Sequence, residues 1–399
     1  MKVLISAYAC EPGEGSEPGA GWEWSRAAAL EHEVWVLTRK NNAPAIERAL
    51  AKEPHLRLHP VYIDLPAWAR FWKRGQRGVH LYYLLWQLLA WRRATELHRE
   101  IGFDVAHHLT FAVDWLPAGI AWVKGLPLVW GPVGGATGTP WRMWRWLGWR
   151  GLLSEALREV TTRPLRKVIG DAIARQAALV VGQNPDVARR FARVARVVTE
   201  PNVVISPAQS GSKELRQRNG VKRAVFAGRL IPLKGLPIAI EAIAMAPGWT
   251  LDVYGDGPDR TRGERIARGL GVADRVRFHG QQPREAVLKA LRQSAALVHP
   301  SMHEAAGWVV AEAVATGTPV LCLDRGGPPF IIAGAAGIAV RADANAVTAL
   351  GRQLVKLSHQ DSPSPEGNQR CRWTADRLPA LLKRWYATAS GARGYDRKG

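Results

Sequence analysis

A chain of 399 residues with 47% hydrophobic and 22% charged side chains exceeds one ordinary hydrophobic core; it predicts two globular domains and excludes a disordered or fibrous protein. Three widely separated cysteines, Cys10, Cys322 and Cys371, exclude a disulfide framework and a cysteine-based zinc site. The formal charge of +21 fits nucleic acid, an anionic membrane face or phosphate-bearing substrates, but 42 Arg and 13 Lys are spread over both halves with no basic tail, which argues against nucleic acid.

From Met1-Lys2 the chain enters an apolar run to Tyr8, with no charged leader or small-residue cleavage site, so a cytoplasmic protein is expected. Glu11 to Trp22 is glycine-rich and a helical pattern continues to Leu30, giving strand, glycine loop, helix. The loop has three glutamates and no Gly-Lys-Ser/Thr, so it is no P-loop. Gly19 and Gly21 are expected to let it approach a ligand closely; the bland reading is a surface loop.

Further apolar runs at 34–38, 56–63, 105–109, 126–130 and 179–182 alternate with helical patterns, which predicts a parallel sheet with helices on both faces. Ligands of such sheets bind beyond the carboxyl ends of the strands. His107 and His108 fall at one such end, as do the glycines of Gly131-Pro132-Val133-Gly134-Gly135-Ala136. The spacing leaves both histidines open. His108 is preferred, because the first of two residues leaving a strand more often completes the ladder; core packing or capping is the alternative for the pair.

Of the 18 tryptophans, 11 lie between Trp68 and Trp149. Trp and Arg interleave over 68–93 and again over 141–150. The longest apolar run, Leu81 to Trp91, is far short of the ~20 residues that cross a bilayer. Trp favours the membrane interface and Arg pairs with lipid phosphates, so these stretches predict a first domain resting on an anionic membrane surface. A Trp-rich core with snorkelling arginines is the alternative.

Residues 200–212, rich in Pro and Ser, read as an interdomain linker. A second set of strands follows at 224–228, 251–255, 276–280, 296–300 and 319–323. The first opens onto Gly228-Arg229-Leu230-Ile231-Pro232-Leu233-Lys234-Gly235. Two cations across a turn with a glycine backbone suit a diphosphate, whose charge grows when it leaves. The strand at 296–299 runs into a turn with Glu304 and a helix with Glu312. A carboxylate in that apolar helix needs a polar partner. A ribose with two hydroxyls would serve, or a nearby Arg, and the helix start near Gly307 could take a phosphate.

Glu304, seven residues and Glu312, followed by Ala-Val-Ala-Thr-Gly-Thr-Pro-Val (313–320), resembles the signature of retaining glycosyltransferases of family four. Where many members have Glu-Gly-Phe-Gly, this chain has Glu304-Ala305-Ala306-Gly307. The resemblance implies a GT-B fold, α/β, with two Rossmann-like domains facing across a cleft. It implies an acceptor domain over 1–205, a nucleotide-sugar domain over 206–373, and a final helix from about 374 crossing back to the first domain before a frayed tail. It implies Glu304 facing the donor sugar, Glu312 on the ribose, Arg229 and Lys234 on the diphosphate, and a histidine of the 107–108 pair on the sugar. The loop at Gly21 would cover the acceptor. The expected activity is metal-independent transfer, with retention, from a nucleotide diphosphate sugar to a saccharide or lipid-linked acceptor, at the inner face of the membrane, in cell-surface polysaccharide or glycolipid synthesis; no cofactor is expected. An epimerase or phosphorylase on the same fold, or a basic nucleic-acid-binding protein, are the rivals.

Overall fold

The structure, a computed structural model, describes residues 1–69, 78–206, 222–359 and 371–391. In chain order the elements are β1 (Lys2–Ser6), α1 (Ser16–Glu31), β2 (Glu33–Arg39), α2 (Ala43–Leu50), β3 (Leu58–Ile63), α3 (Val79–Ile101), β4 (Val105–His108), β5 (Leu128–Val133), α4 (Gly148–Leu165), α5 (Asp171–Gln176), β6 (Ala177–Gly182), α6 (Pro185–Phe191) and β7 (Val197–Thr199). They continue with β8 (Lys222–Ala227), α7 (Leu236–Ala244), β9 (Trp249–Tyr254), α8 (Arg260–Gly269), β10 (Val276–Gly280), α9 (Arg284–Arg292), β11 (Ala296–His299), α10 (Trp308–Ala315), β12 (Val320–Leu323), α11 (Pro328–Ile332), β13 (Gly337–Val340), α12 (Ala346–His359) and α13 (Leu378–Gly391). Two compact units result.

The first unit comprises 1–136, 161–204 and 375–399. Its seven strands run parallel in the order β3-β2-β1-β4-β5-β6-β7. The central strands are buried on both faces, as a parallel sheet covered by helices requires. The last helix, α13, lies on this unit against α1 and the strands β4, β5 and β6, with Trp385 and Trp24 ring centroids 5.6 Å apart. Residues 392–399, expected as a frayed tail, are outside the described residues, as are 70–77 of the first Trp/Arg stretch.

The second unit comprises 137–160 and 205–374. Its six parallel strands have the order β10-β9-β8-β11-β12-β13. Ile205 and Thr374 form a bridge where the chain enters and leaves it. From residue 207 on, the expected linker lies outside the described residues. Two short strands, β7 and β13, fall outside the apolar runs that predict the sheets.

One expectation is corrected here. Segment 137–160, with its Trp/Arg stretch, belongs to the second unit and not the first. The cause is burial: Met143, Trp146 and Leu147 join the second unit's core, the Trp146 indole N–H donates to Glu241 at 2.9 Å, and Arg262 donates to the Trp146 carbonyl at 2.7 Å.

Candidate functional site

In the second unit the loops following β8, β11 and β12, neighbours in the sheet, are stitched together at the carboxyl ends of their strands. After β8 the chain forms a 3-10 turn, Pro232–Lys234, closed by Gly235 at φ 73°. A Cβ on Gly235 would lie 2.2 Å from the Pro300 carbonyl oxygen, so only glycine lets the two loops touch. Met302 N–H donates to the Leu233 carbonyl at 2.8 Å. From the third loop, Gly327 N–H donates to the Glu304 carbonyl at 3.0 Å, and Gly326 (φ 66°) presses on the same carbonyl.

This stitching brings Lys234 onto the Glu304 carboxylate, and His299 Nε2 lies 3.3 Å from Glu304 Oε2. Burial works to raise the Glu304 pKa, but Lys234 and His299 outweigh it and hold the carboxyl well below its usual range. Arg229, on the same β8 loop as Lys234, is exposed. Gly228, at φ 147°, faces open space where a Cβ would stand. The result is a cation pair, a bare backbone and an ionised carboxylate beyond the strand ends, an arrangement suited to a diphosphate and a neutral polyol together.

Glu312 is buried in α10, whose start is set by Gly307 at φ 95°. Its Oε1 accepts from Arg284 Nε at 2.7 Å, and the guanidinium forms an ion pair with the same oxygen through Nη2 at 2.6 Å. Burial pushes Glu312 upward and Arg284 opposes it. Arg284 opens α9, 28 positions upstream; nothing in the sequence pairs the two, although a nearby Arg is one of the partners the sequence leaves open for this glutamate.

In the first unit, His107 is held in the core. Its Nε2 is 2.7 Å from the Gly131 carbonyl, which can only accept, so Nε2 carries the proton; Nδ1 then accepts from the Tyr386 hydroxyl at 2.8 Å. His108 Nε2 lies 3.2 Å from the Tyr83 hydroxyl. That hydroxyl also faces the Phe111 and Pro117 carbonyls at 3.3 and 3.1 Å. Because those carbonyls need its proton, His108 Nε2 must donate, leaving the Nδ1 lone pair. That atom is buried with no partner among the described residues. Burial pushes His107 down to about 4 and His108 down to about 3, so both rings are neutral at physiological pH.

The glycines expected near a ligand pack closely on the chain itself. Gly19 and Gly21 are helical, because α1 begins at Ser16 (φ 59°). A Cβ on Gly21 would meet the Ala9 carbonyl oxygen at 2.0 Å, and one on Gly19 the Glu14 carbonyl oxygen at 2.0 Å. Their close approach is to the chain's own backbone. Likewise Gly131 sits on the Val181 carbonyl and Gly135 on the Asp114 carboxylate. Asp114, not singled out from sequence, is a buried hub with Arg166 at 3.5 Å, Arg190 at 3.4 Å and Ala136 N–H at 3.1 Å. Glu17, in the first turn of α1, accepts from Phe111 N–H at 3.0 Å; burial pushes its carboxyl up to about 7, against that hydrogen bond.

Among the described residues no group of three or more His, Cys, Asp or Glu could hold a metal ion, and no helix is long and apolar enough to cross a membrane.

Comparison with known proteins bears on the same region. Residues 209–374 match the family "Glycosyl transferases group 1". The chain is 30% identical over 211 residues to a D-inositol 3-phosphate glycosyltransferase of Streptomyces griseus, a match covering 43% of this chain and 45% of that protein. It is 39% identical over 105 residues to the lipopolysaccharide core biosynthesis glycosyltransferase LpsE of Rhizobium meliloti, covering 26% of this chain and 30% of LpsE. These matches span less than half the length of either relative. The backbone is similar to a sucrose-phosphate synthase from Thermosynechococcus elongatus, with a TM-score of 0.68 and 18% identity over 98% of this chain and 99% of the other. At that identity the likeness shows the fold, GT-B, and nothing of substrate.

Proposed function

We propose that the chain is a retaining, metal-independent glycosyltransferase of family four, moving a sugar from a nucleotide diphosphate donor to a hydroxyl of a saccharide or lipid-linked acceptor. The observation that carries this reading is the Lys234–Glu304 contact beside Arg229 and Gly228, in the region matched to group 1 glycosyltransferases. Arg229 and Lys234 neutralise the charge that builds on the departing diphosphate. Glu304, ionised, orients the hydroxyls of the transferred sugar. Glu312 offers its free oxygen to the ribose, and the first-turn N–H groups of α10 after Gly307 face a phosphate. His108, neutral, is the histidine assigned to the sugar; His107, with both nitrogens engaged in the core, positions the strand end beneath it.

The names of the relatives, which concern inositol phosphate and lipopolysaccharide, support a place in cell-surface polysaccharide or glycolipid synthesis. Such work belongs on the cytoplasmic face of the membrane, and nucleic acid is no partner. The test is a thermal-shift screen of nucleotide diphosphates and their sugars, followed by product analysis with the donor that stabilises most. Release of the nucleotide diphosphate together with a new glycoside is expected. An isomerised donor without acceptor, or turnover only with inorganic phosphate, overturns the reading in favour of an epimerase or a phosphorylase.

A further inference from the structure

Segment 137–160 of the second unit carries an apolar face that remains exposed in the folded chain. Trp149, Leu153, Leu157 and Val160 are 71, 65, 63 and 74% exposed. At α-helical spacing they fall within an arc of about 80° on α4. The register of that helix is fixed by its other side: Leu152 packs against the second core, Gly151 sits against Pro232 and Leu147, and Glu155 is buried against Arg158 at 2.6 Å. The four side chains are therefore held outward.

Just ahead of them Trp141 is 70% exposed, with the Arg142 guanidinium 5.3 Å from its ring centroid. Arg150 stands 5.1 Å from the Trp149 centroid. Between Trp141 and Ser154 there is no acidic residue. Isolated exposed leucines are ordinary, but a continuous strip of large apolar side chains marks an interaction surface. The arginines choose among partners. An apolar protein partner would have to strip water from guanidinium groups that have no carboxylate to meet. A bilayer interface takes Trp rings at headgroup depth, guanidinium groups on lipid phosphates, and leucines below them.

The geometry points to this face of α4, with Arg150 on the same helix and Trp141 and Arg142 just ahead of it in the chain, as the surface that docks in-plane on an anionic lipid bilayer. The sequence alone predicts membrane contact for the first domain; in the structure the element belongs to the second unit, which contains the region matched to group 1 glycosyltransferases. The inference rests on the proposed reading for its purpose, delivery of the enzyme to a membrane-borne acceptor, but lipid binding itself is measurable without any transfer.

The experiment is cosedimentation of the full chain with phosphatidylcholine vesicles, with and without phosphatidylserine, at low and high salt. Two variants accompany it: Leu153→Ser/Leu157→Ser/Val160→Ser, which keeps the charge, and Arg142→Glu/Arg150→Glu, which keeps the apolar strip. Arg145 is left in place because it also donates to the Ala344 carbonyl. Wild type is expected to bind phosphatidylserine vesicles at low salt and to be released by high salt. The serine variant should partition at least tenfold less, and the glutamate variant should lose about fivefold per arginine or more, with melting temperatures unchanged. Absence of wild-type binding at low salt overturns the proposal, as does unchanged binding of both variants. Self-association of wild type that the serine variant abolishes assigns the face to a second copy instead. Stabilisation by the nucleotide diphosphate, measured on the same samples, reports on the donor site separately; its absence refutes the transferase reading and leaves the lipid surface standing.

Discussion

Lys234 and Glu304, 70 residues apart, form an ion pair between the loops that follow two adjacent strands of the second sheet. In the proposed reaction Lys234 faces both this carboxylate and the leaving diphosphate. Removing it takes away a charge-assisted contact worth about 1.5–3 kcal/mol. Lys234→Ala is expected to weaken nucleotide diphosphate binding and slow transfer by about tenfold or more. Steady-state kinetics with the identified donor checks this; unchanged kcat and KM would remove Lys234 from the site.

Glu312 is predicted to recognise the ribose and to take no part in bond making. Glu312→Gln should chiefly weaken donor binding, and a 2′,3′-dideoxyribose donor should bind equally poorly to both proteins. Titration calorimetry decides: additive losses from mutation and deoxygenation would mean the two groups do not meet.

Arg284 is predicted to hold Glu312 ionised. In Arg284→Ala the buried carboxylate loses its partner, costing roughly 3 kcal/mol of stability. The double variant Arg284→Ala/Glu312→Gln should recover much of that loss, because no uncompensated charge remains. Denaturant melts of the four proteins close the cycle, and a double variant as unstable as the sum of the singles would contradict the pairing.

Glu17 gives the fold a pH dependence with a defined sign. Burial raises its carboxyl from 4.5 to about 7, so the folded chain binds a proton that the unfolded chain has released. The stability from this group is full below pH 4.5 and is lost as pH rises toward about 7. Between pH 5 and 8 the melting temperature of wild type should fall relative to Glu17→Gln by on the order of 3 °C. Parallel curves for the two proteins would show that Glu17 is not protonated in the folded state.

The legible parts of this site are those that local chemistry dictates. Apolar runs bounded by turns located β8, β9, β10, β11 and β12, and polar residues just past them, Arg229, Lys234 and Glu304, lie at strand ends as a parallel sheet demands. What stayed hidden depends on long-range contact. Arg284 meets Glu312 only because α9 and α10 are neighbours. Segment 137–160 changes units because Met143 and Trp146 find the second core. Gly19 and Gly21 read as loop because glycine disfavours helices, yet in α1 the crowding of Glu14 and Ala9 leaves no room for a Cβ. For His107 and His108 the strand end was evident and the distinction was not, since it lies with Tyr386, Gly131 and Tyr83.

The measurement that bears most directly on the central claim is the stereochemistry of transfer. With the donor found by the binding screen, proton NMR of the anomeric signal in the first-formed glycoside reports its configuration before any later equilibration. Retention of the donor's anomeric configuration, together with release of one nucleotide diphosphate per glycoside, is the predicted result. An inverted product would contradict the assignment to retaining glycosyltransferases and, with it, the roles given to Glu304 and Lys234.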